Sequence, residues 1–248
     1  MSRVLRPSGA AIAIAVAMLL ALAACNRASE ADVAAKPAAT TAPPAEPAPS
    51  VAVAAEPVRS GDFVLPGAFA PDTTVADLER RFGKANVRIG ELPGAEGEVH
   101  RGVELFAGDT SRQAYVYFQD EQALRGLSRV AVGNDGSRWT LDNGVRIGMS
   151  LADLVALNGA AVIFTGFDWD YGGYVSDWSD GKLDAVEGDP VRRGVRLRIR
   201  ESARNATQPP AYPSGDSEFR SDEADYPKLG ELAEVGDISV SFPGEDDL

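Results

Sequence analysis

The sequence predicts an α+β fold built as two tandem repeats, each a short helix packed on an antiparallel sheet meander. Two observations carry this prediction. A helix-like segment recurs at a constant offset of 76 residues, and each copy is followed by stretches that alternate between apolar and polar side chains. The repeats are expected at residues 61–143 and 144–248, a span long enough for one sizeable domain or two small ones.

The first copy runs from Thr73-Thr74-Val75-Ala76-Asp77-Leu78 to Phe82-Gly83-Lys84-Ala85. The second runs from Met149-Ser150-Leu151-Ala152-Asp153-Leu154 to Asn158-Gly159-Ala160-Ala161. Thr74 and Ser150 stand at N-cap positions with Asp77 and Asp153 three residues on, the arrangement of a capping box. Val75, Leu78 and Phe82 share one face of the first helix; Leu151, Leu154 and Val155 share one face of the second. Gly83 and Gly159 supply left-handed C-terminal residues. Helices of about nine residues are not stable alone, so each must lie on a sheet.

Strands are expected at 99–107, 113–119 and 127–133 after the first helix. After the second they are expected at 162–166, 173–178, 183–187, 194–200 and 237–242. Asp180-Gly181 marks a tight hairpin between two of these. Val195, Leu197 and Ile199 alternate with Arg196, Arg198 and Arg200, which predicts one core face and one wet face. Residues 201–227, polar and interrupted by Pro209-Pro210, are expected to form a long mobile loop.

The N-terminal 24 residues have the layout of a secretory signal: Arg3 and Arg6, then an unbroken run of small and apolar residues from Ala10 to Ala24. Fifteen mostly alanine residues are short for a membrane span, which needs about 20. The run ends in Leu22-Ala23-Ala24-Cys25, which resembles the lipobox of bacterial lipoproteins. The resemblance implies cleavage before Cys25, attachment of diacylglycerol to its thiol, and anchoring in a lipid bilayer. In lipoproteins of this kind an aspartate after the cysteine can retain the chain in the inner membrane. Asn26 stands there, which implies an outer-membrane, periplasm-facing location. Residues 25–60 follow as a disordered tether; positions 26–60 hold 12 alanines and 6 prolines and no aromatic residue.

Without the leader the chain carries 22 basic and 37 acidic side chains, a formal charge of −15. Such a chain is repelled by phosphate backbones, so no nucleic-acid partner is expected. Cys25 is the only cysteine, which leaves no disulfide and no thiol nucleophile.

The segment Ile147-Gly148-Met149-Ser150-Leu151-Ala152-Asp153-Leu154, with Asn158-Gly159, resembles the helix entry and exit of outer-membrane lipoproteins of the SmpA/OmlA type. It is also similar to the repeating helix-and-sheet unit of the β-lactamase-inhibitor-protein type. The first copy departs from that pattern, having Pro71-Asp72-Thr73 at its entry. Those relatives are binders, so the resemblance implies recognition and assigns no catalytic residue.

The chemistry-bearing stretch is 165–178, with five of the chain's 18 aromatic residues and three carboxylates. One reading is core and turn, with Phe167, Trp169 and Tyr171 alternating along a strand and Gly172-Gly173 allowing a bend. The other is a recognition patch of Asp168, Trp169, Asp170, Tyr171, Tyr174 and Trp178, since Trp and Tyr give large contact area at small entropy loss. A calcium loop fails because Ser179 occupies the position that needs a bidentate glutamate. Zinc fails for want of ligands, and no metal or other cofactor is expected. His100, the only histidine, is expected on the solvent face of a strand, opposite Val99 and Val103. The expectation is therefore a non-catalytic binding or scaffold module for an envelope protein or cell-wall glycan. Two competitors stand beside it. One is a glycan-acting hydrolase using Asp168, Asp170 and Asp177. The other is an inhibitor of a periplasmic enzyme, exposing aromatic residues on a concave sheet.

Overall fold

The computed structural model describes residues 63–243; the leader, Cys25 and the 25–60 tether lie outside them. Both expected helices are present. Helix α1 (Val75–Phe82) opens on a complete capping box: the Asp77 N–H donates to Thr74 Oγ1 at 3.2 Å, and the Thr74 N–H donates to Asp77 Oδ2 at 3.0 Å. Helix α2 (Leu151–Asn158) keeps half of that device, with the Asp153 N–H donating to Ser150 Oγ at 3.0 Å. Gly159 closes α2 in the left-handed region (φ 78°, ψ 5°). Gly83 has positive φ but extended ψ (87°, 135°), so α1 turns straight into the next segment without a left-handed cap.

The strands assemble differently from two separate meanders. Six of them form one antiparallel sheet: β2 (Val87–Pro93), β3 (Val99–Leu105), β4 (Ala114–Asp120), β5 (Arg125–Val132), β9 (Arg192–Ile199) and β11 (Ala233–Ser241). Their order across the sheet is β2-β3-β4-β5-β11-β9. The C-terminal strand β11 is thus inserted between a strand of the first expected repeat and one of the second. Ile238 pairs with Val132 on one side and with Val195 on the other. The large sheet takes strands from both sides of the boundary expected at 143/144.

A second sheet of three strands, in the order β10-β7-β8, is made by β7 (Ile163–Thr165), β8 (Val175–Asp177) and β10 (Glu218–Arg220). A short parallel pair, β1 (Val64–Leu65) with β6 (Thr140–Leu141), completes the strands. Helices α3 (Glu201–Arg204) and α4 (Leu229–Leu232) are single turns.

Three expectations need correction. Residues 183–187 form turns and no strand, because the Leu183 N–H is taken by the Asn158 side chain at 3.0 Å. The chain does turn before them, the Gly181 N–H reaching Trp178 O at 3.0 Å, but it turns through Ser179 and Asp180, both at positive φ. Segment 201–227 is not a free loop. It contains α3 and β10, and the Gly166, Phe167 and Ser221 N–H groups bond Ser217 O, Pro213 O and Val162 O at 2.9–3.0 Å. Strand β2 was not anticipated, because Gly90, Pro93 and its charged residues mask the strand pattern; an edge strand tolerates them.

One face of the large sheet makes the core. Val103, Leu105, Val116, Leu127, Val130, Val195, Leu197, Val235 and Val240 are all buried there, together with Leu78 and Phe82 of α1 and Leu151 and Leu154 of α2. Trp139 is wholly buried among Phe63, Phe69 and Phe82, with ring centroids 5.1–6.2 Å apart, and its indole N–H donates to Arg112 O at 2.7 Å. Among the described residues no helix is long and apolar enough to cross a membrane.

Candidate functional site

Because side chains alternate across a strand, everything that flanks the core residues points to the other face of the large sheet. Tyr115 and Tyr117 alternate with Ala114, Val116 and Phe118 on β4; Arg129 and Ala131 alternate with Val130 and Val132 on β5. Arg196 and Arg198 do the same on β9, as the alternation predicts. On β11 a register shift between Val235 and Asp237 carries Asp237 and Ser239 to this face. The small residues Ala131 and Gly133 form the low middle of the sheet. Gly133 is held small by its neighbour, since a β-carbon there would overlap the Asp237 carboxylate.

The aromatic stretch supplies the wall and roof. Gly173 (φ 82°) packs so closely on β9 that a β-carbon would overlap Leu197 O, and its carbonyl accepts the Leu197 N–H at 2.7 Å. Arg196 fastens the preceding turn, donating from Nε to Gly172 O at 2.7 Å and from Nη2 to Asp170 O at 3.1 Å, with its guanidinium 5.1 Å from the Tyr174 ring centroid. Trp169 and Tyr171 lie 5.5 Å apart, and the Trp169 indole N–H donates to Gly166 O at 2.9 Å. Tyr171 reaches across to the β2–β3 turn, its hydroxyl donating to Glu96 Oε1 at 3.2 Å.

The result is a cleft of about 900 Å³ between sheet and roof. Tyr115, Tyr117, Trp169, Tyr171 and Tyr174 line it, with His100, Glu121, Arg129, Asp170, Arg196 and Asp237. Several of the polar groups are already engaged. His100 Nδ1 lies 2.7 Å from Glu121 Oε1, and the Tyr117 hydroxyl donates to Pro93 O at 2.8 Å. The Arg101 N–H first, and His100 second, hold the Glu121 carboxyl below its ordinary value. Burial pushes the Asp237 carboxyl above the usual carboxylate range, against the pull of Arg196, Arg198 and Arg129. Hydrogen bonding to Glu96 raises the Tyr171 phenol.

Of the six residues expected to form a patch, Trp169, Asp170, Tyr171 and Tyr174 meet in this cleft. Asp168 and Trp178 do not line it. The Asp168 carboxylate accepts from Arg204 Nη1 of α3 at 2.7 Å, and Trp178 packs against the core. The strand alternation expected for Phe167, Trp169 and Tyr171 gives way to a loop in which only Phe167 is core. Asp177 caps the following turn, accepting the Ser179 N–H at 2.5 Å, so Asp168, Asp170 and Asp177 do not gather in one concavity. His100 faces the open side, opposite Val103, but is half-buried by Glu121 instead of free in solvent. Among the described residues no three His, Cys, Asp or Glu side chains are grouped to hold a metal ion.

The open-face residues Tyr115, Tyr117, Arg129 and Asp237 were not singled out from the sequence. The Tyr115/Tyr117 alternation was a usable signal, being aromatic on the polar side of a strand. No protein-family model, no curated protein and no solved structure matches the chain.

Proposed function

We propose that this chain is an envelope lipoprotein whose folded part binds a partner and does not catalyse. The observation that carries the binding reading is the cleft itself. Four aromatic or acidic residues of one sequence stretch are held by a glycine pair and Arg196 over the polar face of the large sheet. A concavity of this size, with rigid aromatic walls and a few convergent polar groups, is the form of a binding site. The carboxylates proposed for glycan hydrolysis point to different places, which favours binding over that alternative.

The address is the second part of the proposal. Cleavage before Cys25 and acylation of its thiol would place the domain on the periplasmic side of the outer membrane, with 25–60 as spacer. Two or more acyl chains hold where one does not, at about 0.8 kcal/mol per buried methylene. Intact-mass measurement of the native protein is expected to show loss of residues 1–24 and added acyl mass; Cys25→Ala is expected to leave the membrane fraction. A full-length, unacylated product overturns the address.

For the cleft, the full chain immobilised in detergent is exposed to envelope extract beside a Trp169→Ala/Tyr174→Ala variant. Wild type is expected to retain a protein or glycan that the variant loses. Equal retention by both overturns the reading.

A further inference from the structure

Two side chains on the floor of the cleft stand apart from the rest. Arg129 and Asp237 face the cleft, yet among the described residues neither makes a side-chain hydrogen bond or an ion pair within 4 Å. The Nε of Arg129 is shielded from solvent and has no partner. Groups like these normally find partners, because a shielded donor left unpaired is destabilising.

The sheet register explains why they do not satisfy each other. Tyr117 pairs with Arg129, Ala131 pairs with Tyr115 and Ser239, and Asp237 lies two residues beyond Ser239 on β11. Arg129 and Asp237 therefore bracket Ala131 from opposite ends, with about 13 Å of strand between their positions. A donor fork is rooted at one end of a shallow trough and an acceptor pair at the other, each within reach of the other's charge. Between them the floor is small, and Tyr115, Tyr117, Tyr174 and Trp169 rise around it.

We infer that this trough is a subsite for a neutral saccharide, with Arg129 and Asp237 hydrogen-bonding ring hydroxyls at its two ends and Trp169 and Tyr174 stacking on the sugar faces. The inference rests on the binding reading above and names its ligand class. Sugar hydroxyls both donate and accept, so one ligand satisfies a guanidinium and a carboxylate at once, and planar groups grip such pairs bidentately. A strongly negative chain disfavours an acidic polymer. An extended peptide fits less well, since β4, β5 and β11 are interior strands whose backbone groups are already paired, leaving no edge to augment. Protein interfaces are normally depleted of aspartate at their core, and Asp237 stands on this floor. The volume, near the top of the roughly 300–1,000 Å³ range of small-ligand sites, has room for more than one ring.

The test uses the full chain in detergent, a glycan array of neutral oligosaccharides, and calorimetry with the tetramers of N-acetylglucosamine, glucose in β-linkage and glucose in α-linkage. A free cell-wall stem tetrapeptide is the comparison ligand. At least one saccharide is expected to bind with a Kd of about 0.01–1 mM. Arg129→Gln, Asp237→Asn and Trp169→Ala are each expected to weaken it by about tenfold or more, whereas Trp178→Phe, outside the cleft, leaves it unchanged. Near-ultraviolet circular dichroism checks that each variant is folded. Saccharide binding indifferent to all three cleft variants overturns the inference. Binding of the tetrapeptide, or of an envelope protein through the cleft, with no saccharide bound also overturns it while leaving the binding reading intact. Failure of every ligand, with no cleft-dependent retention from envelope extract, removes both.

Discussion

The carboxamide of Asn158 lies against the α-carbon of Gly181, so close that a β-carbon at 181 would overlap its Oδ1 and Nδ2. Asn158 is the last residue of α2 and is 0 % exposed. Its Nδ2 donates to Trp178 O at 2.8 Å and Ala160 O at 3.1 Å, while Oδ1 accepts the Leu183 N–H at 3.0 Å. One side chain thereby ties the turn after α2, at Ala160, to the two ends of the 179–182 turn, at Trp178 and Leu183. Asn158→Ala is expected to destabilise the protein by about 2–4 kcal/mol, since Ala160 O and the Leu183 N–H lose the partner they have and Trp178 O keeps only the Gly181 N–H. Urea unfolding with an unchanged m-value is the measurement. Gly181→Ala is expected to act in the same direction by displacing the same amide.

The 76-residue offset sets Asn158 opposite Phe82, which shows how far the repeat could be read. Capping residues, apolar positions and terminal glycines belong to the helix alone, and they were legible because local rules govern them. What the last residue does depends on its surroundings: Phe82 stacks on Phe69 with centroids 6.0 Å apart, whereas Asn158 ties down a turn. The insertion of β11 between β5 and β9 was not legible, because alternation in Ala233–Ser241 says that a strand exists and not which neighbours it takes. The cleft shows the same division. Trp169 and Tyr174 stood out by composition, but Arg129 and Asp237 become a pair only once the sheet register places them across Ala131.

Asp237 predicts a stability effect of opposite sign to most carboxylates. Burial raises its folded-state pKa, so the contribution is fully present below the ordinary aspartate value of about 3.9 and is lost as pH rises through the folded value. Above the folded value the ionised group weakens the fold. Asp237→Asn is therefore expected to raise Tm by about 2–4 °C at pH 7, corresponding to ~1 kcal/mol, with the gain shrinking towards pH 3. Calorimetric scans of both proteins from pH 3 to 8 test this. A variant less stable at pH 7 would show the carboxylate to be structurally required.

Asp142 and Asp189 behave the other way. Arg193 grips Asp142 with Nε–Oδ1 and Nη2–Oδ2 contacts of 2.7 and 2.8 Å, and reaches Asp189 Oδ2 at 2.7 Å. Arg193 lowers the Asp142 pKa; the Val191 N–H first, and Arg193 second, lower that of Asp189. Their contribution is present above the ordinary aspartate pKa and disappears as pH falls through the depressed folded values. Asp142→Asn is expected to remove less than about 1 kcal/mol at pH 7, because the side chain is 41 % exposed and water screens the pair. Below those depressed values wild type and variant are expected to converge, a result that acid-range thermal melts would reveal.

The aromatic roof depends on one backbone position. Gly173 has φ 82° and leaves no room for a β-carbon beside Leu197 O, while its own N–H and carbonyl bond Thr165 O and the Leu197 N–H at 2.9 and 2.7 Å. An alanine there meets two penalties at once, a left-handed backbone and a clash with β9. Gly173→Ala is expected to be destabilising by about 2–4 kcal/mol and to push the loop outward, drawing Trp169 and Tyr174 away from the sheet. Gly188 gives the control, since it shares the positive φ (80°) but has open space around it, so Gly188→Ala carries only the conformational penalty of about 1 kcal/mol. Comparing the two by urea unfolding, and by the fluorescence change in a Trp178→Phe background, where buried Trp139 is a component common to both variants and Trp169 reports on the roof, separates backbone strain from loss of the close approach. Equal behaviour of the two variants would mean that contact with Leu197 does not hold the roof in place.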